Sequence, residues 1–245
     1  MSTVAIIPVR GGSKGIPRKN LQDLWGQPLF THVLEAAQKA ELVDEVYVLT
    51  DDEEIAYAAR SAGGEVMARH SHTCTDEAST ESVMHDFFYY RYPDYKQIDK
   101  FVLLQATSPL TTAEDIDGAI KAMYTISRDN NTQTSLKTSY WDSVLSVCKD
   151  HGGPLCGGFR WSSNKRLLDE GIWPLDYMLG QNRPRRQDMP DIYRENGAIY
   201  VTTANAFIKS GNRVSGRVNA YVMPRQRSFE VDDIEDLEEL RNHRK

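Results

Sequence analysis

The sequence predicts an α/β fold: a mostly parallel sheet with helices on both faces, a three-layer arrangement. Two observations carry that prediction. The first half alternates short continuous apolar runs with stretches of helical periodicity, the βαβα order of a parallel sheet. The chain of 245 residues, 40% hydrophobic and 26% charged, is long enough for one large core. Ligands of such sheets sit outside the carboxyl ends of the strands.

Val4 to Val9 is a continuous apolar run and reads as a buried strand. Pro28 opens a helix in which Leu29, Val33, Leu34, Ala37 and Ala40 share one face. Glu45 to Thr50 reads as the next strand. Asp51 then stands as N-cap, with Glu54 completing a capping box, and Gly63 and Gly64 end the helix. The unit repeats as a strand over Val66 to Arg69, a helix over Ser79 to Tyr92 with Val83 and Phe87 inward, and a strand over Phe101 to Gln105. Thr112 caps a helix containing Ile116, Ile120 and Met123. Residues 132–149 read as two short strands, and 151–190, rich in Gly, Pro, Trp and Arg, as a functional loop or an oligomer contact. The pattern resumes as strand 198–202, helix 203–210, strand 218–223 and a closing strand end, "FEVDD", before an acidic helix.

Composition restricts the function. The apolar stretch at Val4 to Val9 is broken by Pro8 and followed by Arg10, far short of a signal or membrane-spanning segment, so a cytoplasmic protein with no membrane partner is expected. Cys74, Cys148 and Cys156 are odd in number and lack C-x-x-C spacing, which argues against a disulfide framework or a zinc site. The six histidines form no ligand cluster, His72 and His85 falling on different elements. A net charge of −6 opposes binding to a nucleic-acid backbone and favours a small anionic ligand held by a few local cations.

Those cations are concentrated in "IIPVRGGSKGIPRKN", residues 6–20, where the first strand empties into a glycine-rich basic loop. The loop fits neither G-x-x-x-x-G-K-[ST] nor G-x-G-x-x-G, because Gly11 and Gly12 are adjacent and no Gly-Lys-Ser/Thr follows. What remains is a turn whose amides can face a ligand, with Arg10, Lys14, Arg18 and Lys19 available to neutralise a triphosphate. Taken alone, it could equally be a solvated turn with accidental charge.

Together with "LLQATSPL" at 103–110, "RRQDMPDIYRENGAIYV" at 185–201 and "FEVDD" at 229–233, this loop closely resembles the N-acylneuraminate cytidylyltransferase family, the CMP-sialic acid synthetases, over nearly the whole chain. The resemblance implies a single Rossmann-like nucleotidyltransferase domain over 1–245, with a protruding dimerisation element within 148–187 and a homodimer. It implies that CTP and Mg²⁺ activate an acidic nine-carbon 2-keto sugar, a sialic acid or similar nonulosonate, releasing pyrophosphate. Relatives acting on the eight-carbon acid KDO have a different first loop.

Carried over by motif, Arg10, Ser13, Lys14, Lys19 and Asn20 would hold the CTP phosphates, with Arg10, Lys14 and Lys19 in the catalytic role. Cations aimed there stabilise the charge developing at the α-phosphate and on the departing pyrophosphate. Arg69 matches the position that reads cytosine, a surface salt bridge being its alternative, and Ala78, Ser79 and Thr80 match the helix start beside the base. Among substrate-binding candidates, Gln105 is placed to contact the sugar acid, capping of the strand end being its alternative, Ser108 shapes the following turn, and Arg186, Arg194, Asn196 and Tyr200 match anion and sugar contacts; Arg183 and Arg185 are weaker matches. Glu230 and Asp232, two apart on a strand, point the same way and would share a cation. N-capping of the acidic helix by Asp232 or Asp233 is the alternative.

Two departures stand out: the family commonly has Asp at Glu230, and Ser139, Tyr140 and Trp141 replace a His-Pro stretch found in many relatives. Trp141 is then a stacking wall or a core aromatic. The competing functions are a sugar nucleotidyltransferase using another nucleoside triphosphate and a non-catalytic nucleotide- or sugar-binding protein.

Overall fold

The computed structural model describes residues 2–13, 15–75, 78–92, 95–128, 136–150, 159–162, 171–174 and 191–243. Lys14, Cys156, Arg183, Arg185, Arg186 and most of the expected dimerisation element lie outside them.

The strands are β1 (Ser2–Pro8), β2 (Asp23–Leu24), β3 (Gln27–Pro28), β4 (Glu45–Thr50), β5 (Glu65–Ala68), β6 (Ile98–Leu104), β7 (Tyr124–Arg128), β8 (Leu136–Tyr140), β9 (Ser143–Asp150), β10 (Phe159–Ser162), β11 (Gly171–Pro174), β12 (Ile192–Thr203) and β13 (Val218–Met223). The helices are α1 (Leu29–Lys39), α2 (Glu53–Ser61), α3 (Thr80–Asp86), α4 (Ala113–Lys121), α5 (Ala204–Ser210) and α6 (Ile234–His243). No helix among the described residues is long and apolar enough to cross a membrane.

Seven strands form one sheet in the order β13-β9-β12-β6-β1-β4-β5. β12 pairs antiparallel with both neighbours, and every other pair is parallel. Because β1 lies between β4, which follows it through α1, and β6, the chain reverses its direction of winding at β1. A crevice opens at the carboxyl ends there, where α/β sheets place ligands.

Strand alternation builds the core. Ala5 and Ile7 of β1, with Val9 just beyond it, face α1, α2 and α4, whereas Val4 and Ile6 face α3 and α5; all are fully buried. On the second face Phe87, Phe88, Phe101 and Phe207 pack edge to face or tilted at 5.3–5.5 Å. The helix expected over Ser79 to Tyr92 reaches that cluster by changing at Phe87–Arg91 into a π-helical turn, which turns both Phe87 and Phe88 inward. A third cluster of Ile16, Leu24, Leu29, Val231, Leu237 and Leu240 fastens the basic loop to α6.

Four expectations are corrected. The N-cap of α2 is Asp52, whose carboxylate accepts from the Glu54 and Ile55 amides; Glu54 completes no box and pairs with Arg18 instead. "FEVDD" is not a strand: it pairs with no strand among the described residues, its Val231 amide donating to the Thr107 carbonyl at 2.8 Å and its Val231 side chain lying buried beneath α6. β7 was not anticipated, and β12 begins six residues before the expected strand 198–202. Thr112 caps α4 as expected, in a full capping box with Asp115.

Candidate functional site

The crevice beyond β1 and β6 is a cleft of about 360 Å³. The basic loop supplies Arg10, Gly12, Ser13, Gly15, Lys19 and Asn20 to one wall, and Gln105, Ala106 and Thr107 after β6 supply another. Arg69, Thr75, Ala78, Thr80 and Val83, from the turn after β5 and the start of α3, close the third side. Ser79 caps α3, its hydroxyl accepting from the Ser82 amide at 3.1 Å. Eight residues singled out from the sequence therefore converge here, from four separate stretches of chain: Arg10, Ser13, Lys19, Asn20, Arg69, Ala78, Thr80 and Gln105.

The loop is held by close contacts at both ends. A Cβ on Gly11 would lie 2.4 Å from the Asp52 carboxylate, so only glycine fits there. Arg18, in the left-handed region at φ 53°, donates to both Asp52 oxygens at 2.6 and 3.0 Å and to Glu54 at 2.6 Å. Arg18 is thus committed to α2 and is not one of the cations facing the cleft. Burial works to raise the Asp52 pKa, but the Ile55 amide, then Arg18 and the Glu54 amide, hold the carboxyl below its usual range. Lys19 reaches across the cleft mouth, donating to the Val231 carbonyl at 2.9 Å and the Asp232 carbonyl at 3.4 Å.

Two cleft-lining groups carry unused hydrogen-bonding capacity. Asn20 is buried and donates its amide to the Arg10 carbonyl at 3.0 Å, which leaves its buried Oδ1 without a donor. Arg69 donates through Nη2 to the Thr73 carbonyl rather than to a surface carboxylate, and its buried Nε has no acceptor. Burial lowers the Arg69 pKa, opposed by the charges of Cys74, Asp51 and Asp86. Buried groups of this kind each cost free energy until a partner arrives.

At the cleft mouth, Glu230 accepts from the Thr107 hydroxyl at 3.2 Å. Although the residue as a whole is exposed, lost hydration at the carboxyl and the charge of Asp232 raise its pKa. Asp233 is the cap of α6: its carboxylate takes the Glu235 and Asp236 amides at 2.9 and 3.0 Å, while Asp236 takes the Asp232 and Asp233 amides. The Asp232 carboxylate is therefore free of capping duty, 75% exposed and 4.0 Å from Lys19. The Glu230 carboxylate, whose proton affinity the neighbouring Asp232 charge raises, and the Asp232 carboxylate are both hard oxygen donors of the kind that suits Mg²⁺. Among the described residues no group of three or more His, Cys, Asp or Glu side chains could hold a metal, so the remaining ligands would be nucleotide oxygens and water.

Other predicted site residues lie elsewhere. Asn196, on β12, is buried, and its amide is taken up by Ser146 of β9, Ser228 and the Met223 sulfur of β13. Tyr200 is in the second-face core with its hydroxyl on Glu195 and Arg213 over its ring. Arg194 is exposed, Ser108 is buried in the turn after the cleft strand, and Trp141 is half-buried under Arg217; none of the three lines the cleft. The sequence reading missed Thr75 and Thr107. Thr107 sits inside the quoted "LLQATSPL", and its bond to Glu230 spans 123 residues, beyond any local signal.

A sequence profile of the family described as cytidylyltransferase matches residues 4–150. The chain belongs to that family. Among similar cytidylyltransferases, the N-acylneuraminate cytidylyltransferase of Streptococcus agalactiae serotype V is 31% identical over 99% of this chain and 53% of its own length. N-acylneuraminate cytidylyltransferase B of Danio rerio is 35% identical over 93% of this chain and 48% of its own length. The pseudaminic acid cytidylyltransferase of Campylobacter jejuni serotype O:2 is 29% identical over 97% of this chain and 94% of its own. The chain thus spans about half the length of the first two relatives. A solved structure of CMP:2-keto-3-deoxy-manno-octonic acid synthetase complexed with CTP superposes with a TM-score of 0.69 at 19% identity, covering 100% of this chain and 98% of that one, a likeness of fold.

Proposed function

We propose that the protein is a cytidylyltransferase that activates a nine-carbon 2-keto sugar acid with CTP, giving the CMP-sugar and pyrophosphate. The observation that carries this reading is the cleft's polarity: a cationic, glycine-rich loop on one side, and on the other the half-buried Arg69, whose buried Nε–H is unused. That pairing suits a triphosphate joined to a base with acceptors on its edge. Relatives that act on N-acylneuraminate and pseudaminic acid point to a nonulosonate as the second substrate.

In this reading Arg10, Ser13, Lys19 and the loop amides bind the triphosphate, and Lys14 and Arg186 are assigned to anion contacts by motif alone. Asn20 takes a revised role. Its free oxygen is an acceptor, which no phosphate oxygen can satisfy, so it is assigned to a ribose hydroxyl. Gln105 is assigned to the sugar acid. The anomeric hydroxyl oxygen bonds to the α-phosphorus, its proton passing to solvent, as the bond to the bridging oxygen breaks in line, and Arg10 and Lys19 stabilise the charge on the departing pyrophosphate. Bound at Glu230 and Asp232, Mg²⁺ would supply further charge neutralisation to the triphosphate. A homodimer belongs to the same proposal, and light scattering at the mass of a single chain would remove it.

The direct test is pyrophosphate release with each of the four nucleoside triphosphates against N-acetylneuraminate, legionaminate, pseudaminate and KDO. Turnover is expected with CTP and at least one of the nine-carbon acids. Equal turnover with UTP or GTP, or none with any pairing, overturns it. The metal assignment has its own test. Asp232→Asn should raise the Mg²⁺ concentration needed for half-maximal CTP binding about tenfold or more. The thermal midpoint without ligand should stay unchanged, because Asp233 keeps the α6 cap. An unaltered Mg²⁺ dependence would falsify the metal role.

A further inference from the structure

The base end of the cleft is carried by the turn from Arg69 to Thr75, and that turn hangs on a side chain outside the cleft. Asp86, the last residue of α3, is 3% exposed. Its carboxylate accepts from the His70 ring at Nδ1 and from the His70 amide at 3.3 Å. The His70 carbonyl in turn receives the Thr73 amide at 2.9 Å, the Thr73 hydroxyl at 2.8 Å and the Cys74 thiol at 3.1 Å. The Thr73 carbonyl then receives Arg69 Nη2. On the other side, the Arg69 amide donates to the Thr50 carbonyl at 3.1 Å, which ties the start of the turn to β4. The route from Asp86 through His70 and Thr73 to the guanidinium is continuous.

We infer that Asp86 and His70 form a positioning pair that aims Arg69, and so sets the preference for cytosine over uracil; this rests on the proposed role of Arg69 as the base reader. With Nη2 fixed on the Thr73 carbonyl, the plane of the guanidinium is set, and its buried Nε–H is a donor left for a ligand. Cytosine offers two adjacent acceptors, O2 and N3. Uracil keeps O2 but carries a hydrogen on N3, so a fixed donor there meets another donor. Discrimination of that kind needs a rigid reader, because a guanidinium free to turn would re-pair with whichever edge arrived. The buried carboxylate supplies the rigidity. His70 itself is 41% exposed at the side chain, stacked on His72 and edge-on to Tyr90, both at 5.7 Å, so it can be replaced without opening the core.

The test is calorimetric titration of CTP and of UTP, each with Mg²⁺, against the parent, His70→Ala, His70→Asn, Arg69→Ala and the Arg69→Ala/His70→Ala double variant. His70→Ala should raise the CTP Kd about tenfold and the UTP Kd by less than about twofold. His70→Asn places an amide N–H near the position of Nδ1 and should restore most of the preference. The double variant should bind CTP no more weakly than Arg69→Ala alone, since His70 acts only through Arg69. A rise of equal size for both nucleotides, or no rise, in His70→Ala while Arg69→Ala loses the preference overturns the positioning role and leaves Arg69 as reader. Preference retained in Arg69→Ala overturns the reader, and the positioning pair with it. A thermal midpoint recorded for each variant separates lost aim from lost folding.

Discussion

Replacing Lys19 with alanine is expected to lower turnover about a hundredfold or more, the usual loss when one group stabilising transition-state charge is removed. The side chain is 15% exposed, and its ammonium is held by two carbonyls across the cleft mouth. A cation so placed would not have to reorganise as charge builds on the departing pyrophosphate, so the loss expected exceeds that for a surface lysine. Loss of the carbonyl contacts could also loosen residues 231–232. Lys19→Met, which retains most of the apolar stem, separates the two effects: it should match alanine in turnover while recovering the thermal midpoint. Steady-state rates with saturating CTP are the measurement, and turnover within twofold of the parent would remove Lys19 from the phosphate site.

Arg227→Ala is expected to cost about 3 kcal/mol of stability, the lower end for breaking a buried ion pair because the arginine itself is partly exposed. Asp115, with no exposure, accepts from Arg227 Nε and Nη2 at 2.6 and 2.7 Å, from the Tyr221 hydroxyl at 3.0 Å and from the Thr112 amide at 3.2 Å. Burial works to raise its pKa, but these donors, Arg227 first, hold it below the ordinary carboxylate value. Its contribution is therefore present above the ordinary value and is lost as pH falls through the depressed one. In the variant the uncompensated carboxylate has a raised pKa, so its penalty is relieved by protonation. The gap between parent and variant should be widest at neutral pH and shrink as pH falls towards 4. At neutral pH it should appear as a fall of roughly 6–12 °C in thermal midpoint, and a gap that widens on acidification would contradict the assignment.

The elements that the sequence discloses are those whose causes are local. The apolar run to Val9 and its collapse into glycines and cations locate both β1 and the loop, and Thr112 with Asp115 signals the start of α4 within four residues. What escapes is decided at a distance. Asp51 and Asp52 are equally good caps by sequence, and the choice is made by Arg18, 34 residues away from Asp52, and by the Thr50 hydroxyl on the Asp52 amide. "FEVDD" alternates like a strand, yet Val231 is drawn under Leu237 and Leu240 rather than into the sheet. The stretch around Asn196 and Tyr200 is close in sequence to plausible anion contacts, but a register shift in β12 between Glu195 and Tyr200, at Gly197 with φ 72°, turns Tyr200 into the core. The cleft-facing residues of the basic loop were legible because cations and glycines at a strand end have few structural uses. Buried polar residues such as Asn196 have many.

The contact from Lys19 to the Val231 carbonyl joins positions 212 residues apart, and Arg241 repeats the closure with 2.9 and 2.6 Å contacts to the Asp23 carbonyl. On the ribosome these partners are made at very different times. At roughly 5–20 residues per second, residue 19 is synthesised about 10–40 s before residue 231. For that interval the glycine-rich loop has nothing to brace it from the far side, while Ile16, Leu24 and Leu29 wait for Val231, Leu237 and Leu240. Nascent chains stalled before residue 229 should retain no tight nucleotide affinity even where the first four parallel strands have paired, and their loop should be cut readily by trypsin at Arg10 and Lys19. The proposed nucleotide site is thus completed only once residues 231–240 have been made, long after its most recognisable residues have left the ribosome.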